Sequence, residues 1–396
     1  MRKTVRSVLV CGGLVVVASV AGAAGPRPVA QPFDGGVALG EPSYAIDWTI
    51  DGVITDHLVL GADHISDQQC ANGGFGWPHD DCSATYHNIT GPILLGVLGT
   101  HALTGNDSLM VGAVNGGVFD LTHEFDNGEA RFGTFTPVFM LELAGRSDNS
   151  TFATFVATEL FDELAAGTYG PDDFDTAGWI DSIEVGRSGA WINLRPWEFH
   201  TLIPTARALG SPGQDALFEQ AVLDGLATLD NSDPNVVYSD VIGLAGAVRG
   251  LAFAARSTFP AISAPLDPGV DGIDTLAALT AYLAGLQNAD GSWDWHSNLT
   301  APGITDEDLQ TTAYALLALL EVDALTAPSY VAATQAARDW LVSQQLPNGG
   351  FPEWPGGDEN TEVEGEALTA IAAFDARIFV DGFESGDVSL WSAVMP

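Results

Sequence analysis

The sequence predicts an all-α fold, a ring of six helical hairpins or (α/α)6 toroid, over residues 42–375. Three observations predict it: a turn motif recurs at a nearly constant spacing, the segments around each copy have helical periodicity, and the pattern stops after the sixth copy. A hairpin alone cannot bury its apolar face, so neighbouring hairpins must stack around one core. The first and last copies are the best preserved, which favours a closed ring over an open stack with polar end caps.

The turn motif joins a glutamine to an Asn-Gly or Asp-Gly pair and then to an aromatic residue. Its three clearest copies, QCANGGF, QNADGSW and QLPNGGF, start at Gln69, Gln287 and Gln345. Asp290 and Asn348, the equivalent positions of the last two copies, are 58 residues apart. Going back from Asp290 to the first copy takes four steps of about 55 residues, a period typical of helical repeats. Three weaker copies are therefore predicted near Asn127, Asp173 and Asn231.

Helical segments flank each turn. Amphipathic stretches with apolar residues three and four positions apart precede it, as at 276–287 and 330–345. A second helix, richer in small apolar residues, follows it. These second helices are predicted at 88–103, 132–145, 197–210, 240–254, 309–322 and 363–374. We expect them to line the inside of the ring, with the amphipathic helices outside.

The chain is strongly acidic. It has 52 acidic and 13 basic residues and a formal net charge of −39, while 46% of its residues are hydrophobic. The apolar content is sufficient for a large core, and the charge repels nucleic acid and anionic lipid surfaces. We therefore expect no nucleic-acid partner.

The first 23 residues have the order of a secretory signal. Arg2, Lys3 and Arg6 precede an apolar run that ends in small residues near Ala23. We expect cleavage there, a linker over 24–41, and a mature protein without a membrane span that is secreted, periplasmic or on the cell surface. In such an oxidising compartment, Cys70 and Cys82 are predicted to form a disulfide.

The pattern changes after Phe374. Residues 376–396 alternate apolar and polar positions and contain FVDGFESGD, and we expect a short non-helical tail there. The segment resembles a short terminal segment of many secreted bacterial proteins. A two-stranded extension that docks on the ring is the alternative.

The helical hairpins with a glutamine, a glycine and an aromatic residue resemble the repeats of the terpenoid cyclase and protein prenyltransferase superfamily. QNADGSW is similar to the Gln-Trp motif of squalene-hopene cyclases. The resemblance covers residues 42–375 and implies a toroid in which the glutamine and the aromatic residue tie the outer helix to the turn. It also implies a ligand, an isoprenoid or another small molecule, in the central cavity.

The reactive motifs of that superfamily are not reproduced. In DLQTTA, Gln310 and Thr311 occupy the positions of the two central acids of the cyclase motif. Asp80 and Cys82 have the spacing of a prenyltransferase zinc pair, but His87 lies in the same repeat and Cys82 is the predicted disulfide partner. The sequence therefore predicts no cofactor and no metal site. Zinc at these residues, or calcium at the acidic loops 303–310 and 356–366, is the weaker alternative.

Polar residues at the starts of the inner helices converge on one rim of the ring, where helix N-termini also point. The candidates for catalysis at this rim are Asp80, His87, Arg195, Glu198, His200, Asp240, Asp306, Asp308, Glu362 and Glu364. The candidates for ligand binding are Trp77, Trp197, Trp295, Trp354 and Arg131.

Three functions fit these candidates. The first is a protein that binds or transforms a ligand in the central cavity. The second is a polysaccharide hydrolase or lyase, in which one carboxyl acts as acid, another acts as base or nucleophile, and tryptophans stack on sugars. The third is a non-catalytic surface interaction protein. Whether the chain is an enzyme is left open by the sequence.

Overall fold

A computed structural model describes residues 56–79, 81–122, 135–158, 195–210, 213–227, 240–263, 269–295, 307–325 and 329–383. The predicted signal sequence and linker, and the weaker turn copies predicted near Asn127, Asp173 and Asn231, lie outside these ranges. In chain order the helices are α1 (Asp56–Gln68), α2 (His87–Thr104), α3 (Asp107–Thr122), α4 (Thr136–Ser147), α5 (Ser150–Phe155), α6 (Arg195–Phe199), α7 (Leu202–Ala208), α8 (Gln214–Ala227), α9 (Asp240–Phe253), α10 (Leu276–Gly285), α11 (Leu309–Leu325), α12 (Val331–Ser343) and α13 (Thr361–Phe383).

The inner helices form a closed ring, as the sequence predicts. Helix α2 packs on α4, α4 on α7, α6 on α9, α9 on α11, and α11 on α13. The last inner helix, α13, then packs along the first, α2. Glycines permit this close approach, because a Cβ on Gly365 would lie 2.2 Å from the Cα of Ile93 and one on Gly96 would lie 2.4 Å from the carbonyl oxygen of Gly365. Larger residues at either glycine would push the two ends of the ring apart.

The predicted inner helix over 197–210 is two helices. Helix α6 ends at Phe199 and α7 begins at Leu202, with a break at His200 and Thr201. Pro204 has no N–H to donate to the carbonyl of His200, and its ring would clash with that carbonyl in a continuous helix. The proline therefore accounts for the break.

The recurring glutamine joins neighbouring outer helices. The Gln287 Nε2 group donates to the carbonyl of Gly291 in its own turn, at 3.0 Å, and to that of Ala333 in the next outer helix, at 2.8 Å. Gln69 and Gln345 make the same pair of hydrogen bonds, and Gln345 reaches His57 in α1 across the ring closure. The structural role that the family resemblance implies for this glutamine is therefore observed.

The glycine and the aromatic residue of the turn are fixed by the same packing. Gly291 has φ +104°, and a Cβ there would lie 2.3 Å from the carbonyl oxygen of Ala336. The aromatic residues Phe75, Trp293 and Phe351 are fully buried, and the Trp293 Nε1 group donates to the carbonyl of Leu283 at 2.8 Å. The glycine and the aromatic residue of the motif therefore fix the geometry of the turn.

Cys70 and Cys82 form the predicted disulfide. At the other end of the chain, α13 continues past the expected boundary at residue 375 to Phe383, since no proline interrupts the helical segment. The rest of the predicted tail, 384–396, lies outside the described residues. No helix in the described ranges is long and apolar enough to cross a membrane.

Candidate functional site

Several residues predicted for the rim fall outside the description. Asp80, Arg131 and Asp306 belong to segments that are not described, and the side chains of Arg195, Glu198 and Asp240 are likewise not described although their backbones are helical. These six residues remain sequence predictions. The others can be placed.

Both candidate histidines are buried and make contacts within the fold. The Nδ1 atom of His87 lies 2.9 Å from a carboxylate oxygen of Asp120 in α3, and the ring stacks on Phe119. His200 is fully buried, and its Nδ1 atom lies 2.5 Å from the carbonyl oxygen of Trp197. Burial, and then the charge of Arg249, hold the pKa of His200 well below its usual range. These contacts give both histidines structural roles.

Aromatic side chains from three inner helices meet across the ring. Phe135 precedes α4, Trp197 is in α6 and Tyr314 is in α11, and their ring centroids are 5.4–6.1 Å apart. All three side chains are buried. These three aromatic rings therefore pack against one another between α4, α6 and α11.

Acidic residues of α13 adjoin this aromatic cluster. The Tyr314 hydroxyl donates to Glu366 at 2.5 Å, and the Gln310 Nε2 group donates to the same carboxyl at 2.8 Å. Burial, and then the charge of Glu362, raise the pKa of Glu366 well above its usual range. Glu362 is itself buried at the start of α13. The two hydrogen bonds hold the buried carboxyl of Glu366 against Tyr314 and fix the position of the tyrosine.

A second pair of acids, the buried Asp308 and the half-buried Glu353, lies between the fifth and sixth repeats. Asp308 immediately precedes α11, and its carboxylate accepts a hydrogen bond from the Thr311 N–H at 2.6 Å. The Leu309 N–H donates to the carbonyl of Glu353 at 3.3 Å, which joins the start of α11 to the next turn. Burial, and then the charges of Asp308 and Asp358, raise the pKa of Glu353 to about 7. Glu353 is half-buried and so accessible to solvent, and at this pKa about half of its carboxyl is protonated at neutral pH.

Glu353 was not among the residues predicted from sequence, although its position carries a signal. It lies two residues after the turn aromatic Phe351, where the first and fifth repeats have Trp77 and Trp295. A carboxyl where the other clear copies have tryptophan marks a departure from the repeat. Its neighbour Trp354 is 46% exposed, and the side chain rests against Gly357.

The remaining predicted tryptophans are less accessible. Trp77 and Trp295 are half-buried, and Trp197 belongs to the buried aromatic cluster. Trp354 is therefore the one predicted ligand-binding tryptophan that the described residues leave largely open to solvent. Glu364, the last predicted catalytic candidate, is fully buried and has a carboxyl oxygen within 4.8 Å of a ring nitrogen of His64 in α1.

Comparison with solved structures identifies the class of fold. A mutant unsaturated glucuronyl hydrolase from Streptococcus agalactiae, complexed with dGlcA-GalNAc6S, superposes with a TM-score of 0.52 at 12% identity, covering 86% of this chain and 97% of that chain. A glycosyl hydrolase family 88 protein from Bacteroides vulgatus gives 0.51 at 13% identity, with 81% and 99% covered. A type II terpene cyclase from Scytonema gives 0.50 at 10% identity, with 84% and 98% covered.

The chain is thus an all-α toroid of the architecture found in both glycosyl hydrolases and terpene cyclases. The resemblance read from the turn motifs holds at the level of this fold. No protein-family model and no curated protein sequence matches the chain. At these identities the likeness concerns the fold alone, and function has to be argued from the site.

Proposed function

We propose that this chain is a glycan-active enzyme in which Glu353 is the general acid and Asp308 is its ionised partner. The carrying observation is the position of Glu353, a half-buried carboxyl with a pKa of about 7 beside a second carboxyl and an exposed tryptophan. Two acids whose surroundings give them different protonation states supply the acid and the base or nucleophile of glycoside cleavage.

The proposed step is the cleavage of a glycosidic bond with addition of water. Glu353 donates its proton to the bridging oxygen as the bond to the anomeric carbon breaks, so the leaving sugar departs as an alcohol. Water supplies the new oxygen at the anomeric carbon, and its proton restores the acid–base pair. The carboxyl of Asp308 accepts a hydrogen bond from the backbone N–H of Thr311, and Trp354 offers a flat apolar face for a sugar ring.

The other two functions have less support from the described residues. An isoprenoid in a central cavity requires open apolar volume, whereas Phe135, Trp197 and Tyr314 are buried and pack against one another between the inner helices. A purely structural surface protein gives no reason for an accessible carboxyl to be protonated at neutral pH. The glycan proposal accounts for both observations.

The test is turnover on a panel of aryl glycosides, neutral and acidic polysaccharides, and unsaturated uronyl disaccharides, measured by release of reducing ends or of the chromophore. The disaccharides are included because a protein of the same fold was complexed with dGlcA-GalNAc6S. We expect activity on at least one substrate, with a rate that falls as pH rises through about 7.

Variants make the assignment specific. Glu353→Gln removes the proton donor and should lower kcat by about 10²–10⁴-fold. Trp354→Ala should raise KM with a smaller effect on kcat, and the exposed Asp63 provides Asp63→Asn as a control with wild-type activity. Activity that survives Glu353→Gln, or a panel without any turnover, would contradict the proposal.

A further inference from the structure

A cluster of polar side chains lies where the ring closes. His64 is in α1, Glu359 is in the loop after the last turn, and Glu364 is in the first turn of α13. One side-chain nitrogen of His64 and one oxygen of each glutamate lie within 4.8 Å of one another. Gly350 closes one side of the cluster, since a Cβ there would lie 2.6 Å from the carboxyl carbon of Glu359.

Glu364 is the first sign that the cluster binds a ligand. Its side chain is fully buried, and neither carboxyl oxygen has a hydrogen-bond partner among the residues that the structure describes. A buried carboxyl without partners is costly whether it is charged or neutral, because water no longer solvates it. A bound cation would supply the partner that this carboxyl lacks among the described residues.

The arrangement around His64 is the second sign. The Thr361 hydroxyl donates to Gln68 Oε1, which turns the Gln68 amide nitrogen toward His64 Nε2 and Glu359 Oε1, each at 2.9 Å. An NH₂ group that faces Nε2 favours the neutral tautomer with a lone pair on that atom, the form that binds metals. Yet Nε2 lies only 2.7 Å from Glu359 Oε1. Two lone pairs at that distance repel unless a proton or a cation lies between them.

We propose that His64, Glu359 and Glu364 bind a divalent transition-metal cation, zinc by preference, which joins the first helix of the ring to its last hairpin. One imidazole and two carboxylates form a donor set that suits zinc, and the nitrogen donor argues against calcium. Three protein ligands leave a fourth tetrahedral position for water.

The geometry requires only small adjustments. Zinc bonds of 2.0–2.1 Å in a tetrahedron separate two ligand atoms by about 3.3 Å. The His64–Glu359 pair would therefore open by roughly half an ångström, and Glu364 would move inward. The Gln68 and Asn348 amides, which donate to the two oxygens of Glu359 at 2.9 Å, would hold this ligand in place as the outer partners of metal sites do.

The site is independent of the proposed glycan chemistry, and its effect is on ring closure. His64 and Glu359 are 295 positions apart in the chain, so a metal bound to both would join the ends of the toroid. Because the site exists only in the folded ring, metal binding should raise the melting temperature in a concentration-dependent way.

The test uses full-length mature protein without a histidine tag. Metal content is measured by mass spectrometry of the purified protein, and the chelator-treated protein is then titrated with Zn²⁺ by calorimetry and with Co²⁺ by visible absorption. We expect one ion per chain, a cobalt spectrum of a low-symmetry tetrahedral site, and a melting temperature that rises with Zn²⁺ and falls with chelator.

Three variants separate binding from folding. Glu364→Gln keeps the shape of the side chain and should weaken Zn²⁺ binding by more than about 100-fold, whereas Asn348→Ala should weaken it by about 10–100-fold. Asp63→Asn, an exposed change beside His64 in the same helix, should leave binding unchanged. Glu364→Gln should also melt at the same temperature with and without Zn²⁺.

The alternative is that a proton joins His64 to Glu359. In that case the protein would contain no stoichiometric metal, Zn²⁺ would not shift the melting temperature of the wild type, and Glu364→Gln would behave like Asp63→Asn throughout. Any of these results would overturn the proposed metal site, and none would bear on the activity of Glu353.

Discussion

The hydrogen bonds of Gln345 give the sharpest test of how the ring stays closed. Its side-chain amide donates to the carbonyl of Gly349 in its own turn, at 2.9 Å, and to that of His57 in α1, at 3.0 Å. Replacing Gln345 by alanine removes both donors and leaves two partly covered carbonyls without their partner. Among the described residues, the one hydrogen bond given for the side chain of the adjacent Gln344 is to Ser343, so Gln344→Ala is a matched control.

The expected loss follows from the number of bonds removed. A typical intramolecular hydrogen bond contributes about 0.5–1.5 kcal/mol to stability, and two such bonds give about 1–3 kcal/mol. The third contact of the side chain, between Gln345 Oε1 and His57 Nδ1, is exposed and adds little. The control should lose no more than about 0.5 kcal/mol, because surface changes away from specific contacts are usually that small.

Urea unfolding at 25 °C, followed by circular dichroism in the presence of a chelator, measures these changes without a contribution from metal. Equal free energies of unfolding for the Gln345→Ala and Gln344→Ala variants would refute the idea that the repeated glutamine stabilises the ring. A loss well above about 3 kcal/mol would instead mean that ring closure fails as a unit, which loss of the end-to-end packing of α13 on α2 would explain.

Three further predictions concern stability. Gly291→Ala should destabilise the protein by more than about 1–3 kcal/mol, because φ is +104° and the new Cβ would lie 2.3 Å from a carbonyl oxygen. Gly285→Ala, where the new Cβ meets no atom within 4 Å, is the control, and urea unfolding measures both variants. Replacing Cys70 and Cys82 by serine should cost about 3 kcal/mol by the chain-entropy model, and an unchanged melting temperature would disprove this. Folding raises the pKa of Glu353 from 4.5 to about 7, so its contribution to the free energy of unfolding is fully present below pH 4.5. The contribution is lost as pH rises through 7. Glu353→Gln should therefore gain about 1–2 kcal/mol relative to wild type between pH 4.5 and 8, after allowance for solvent screening, and parallel pH profiles of the two proteins would refute it.

The toroid was predictable because its determinants are local and repeated. Gln287, Gly291 and Trp293 lie within one short turn, and each serves the same purpose in every clear copy. A motif that fixes backbone geometry in this way can be read without knowledge of the rest of the chain. The break before α7 also has a local cause, because Pro204 has no N–H to donate to the carbonyl of the residue four positions before it.

The sites were harder to predict because their partners are distant in sequence. The turn that contains Glu353 meets the start of α11 only when the fifth and sixth repeats pack side by side. His64 meets Glu359 only when the ring closes. The sequence predicted His87 as a catalytic candidate at an inner-helix start, but in the structure its ring contacts the carboxylate of Asp120 in the next outer helix. Sequence periodicity indicates which helices are neighbours, but not which polar side chains on them meet.

The repeated turns nevertheless indicate where a functional residue is expected. The turn motif fixes the backbone through the hydrogen bonds of its glutamine and through positive-φ glycines, so in each clear copy the residue two positions after the aromatic follows the same kind of turn. We expect substitution at that position to have little effect on the stability of the fold, so a reactive side chain can occupy it. Trp77 and Trp295 keep an aromatic side chain there, while the sixth copy presents Glu353. In a ring of repeated units, we expect a reactive group in the copy that departs from the pattern. The sixth copy departs at Glu353, and the pKa of about 7 of this carboxyl suits acid catalysis near neutral pH.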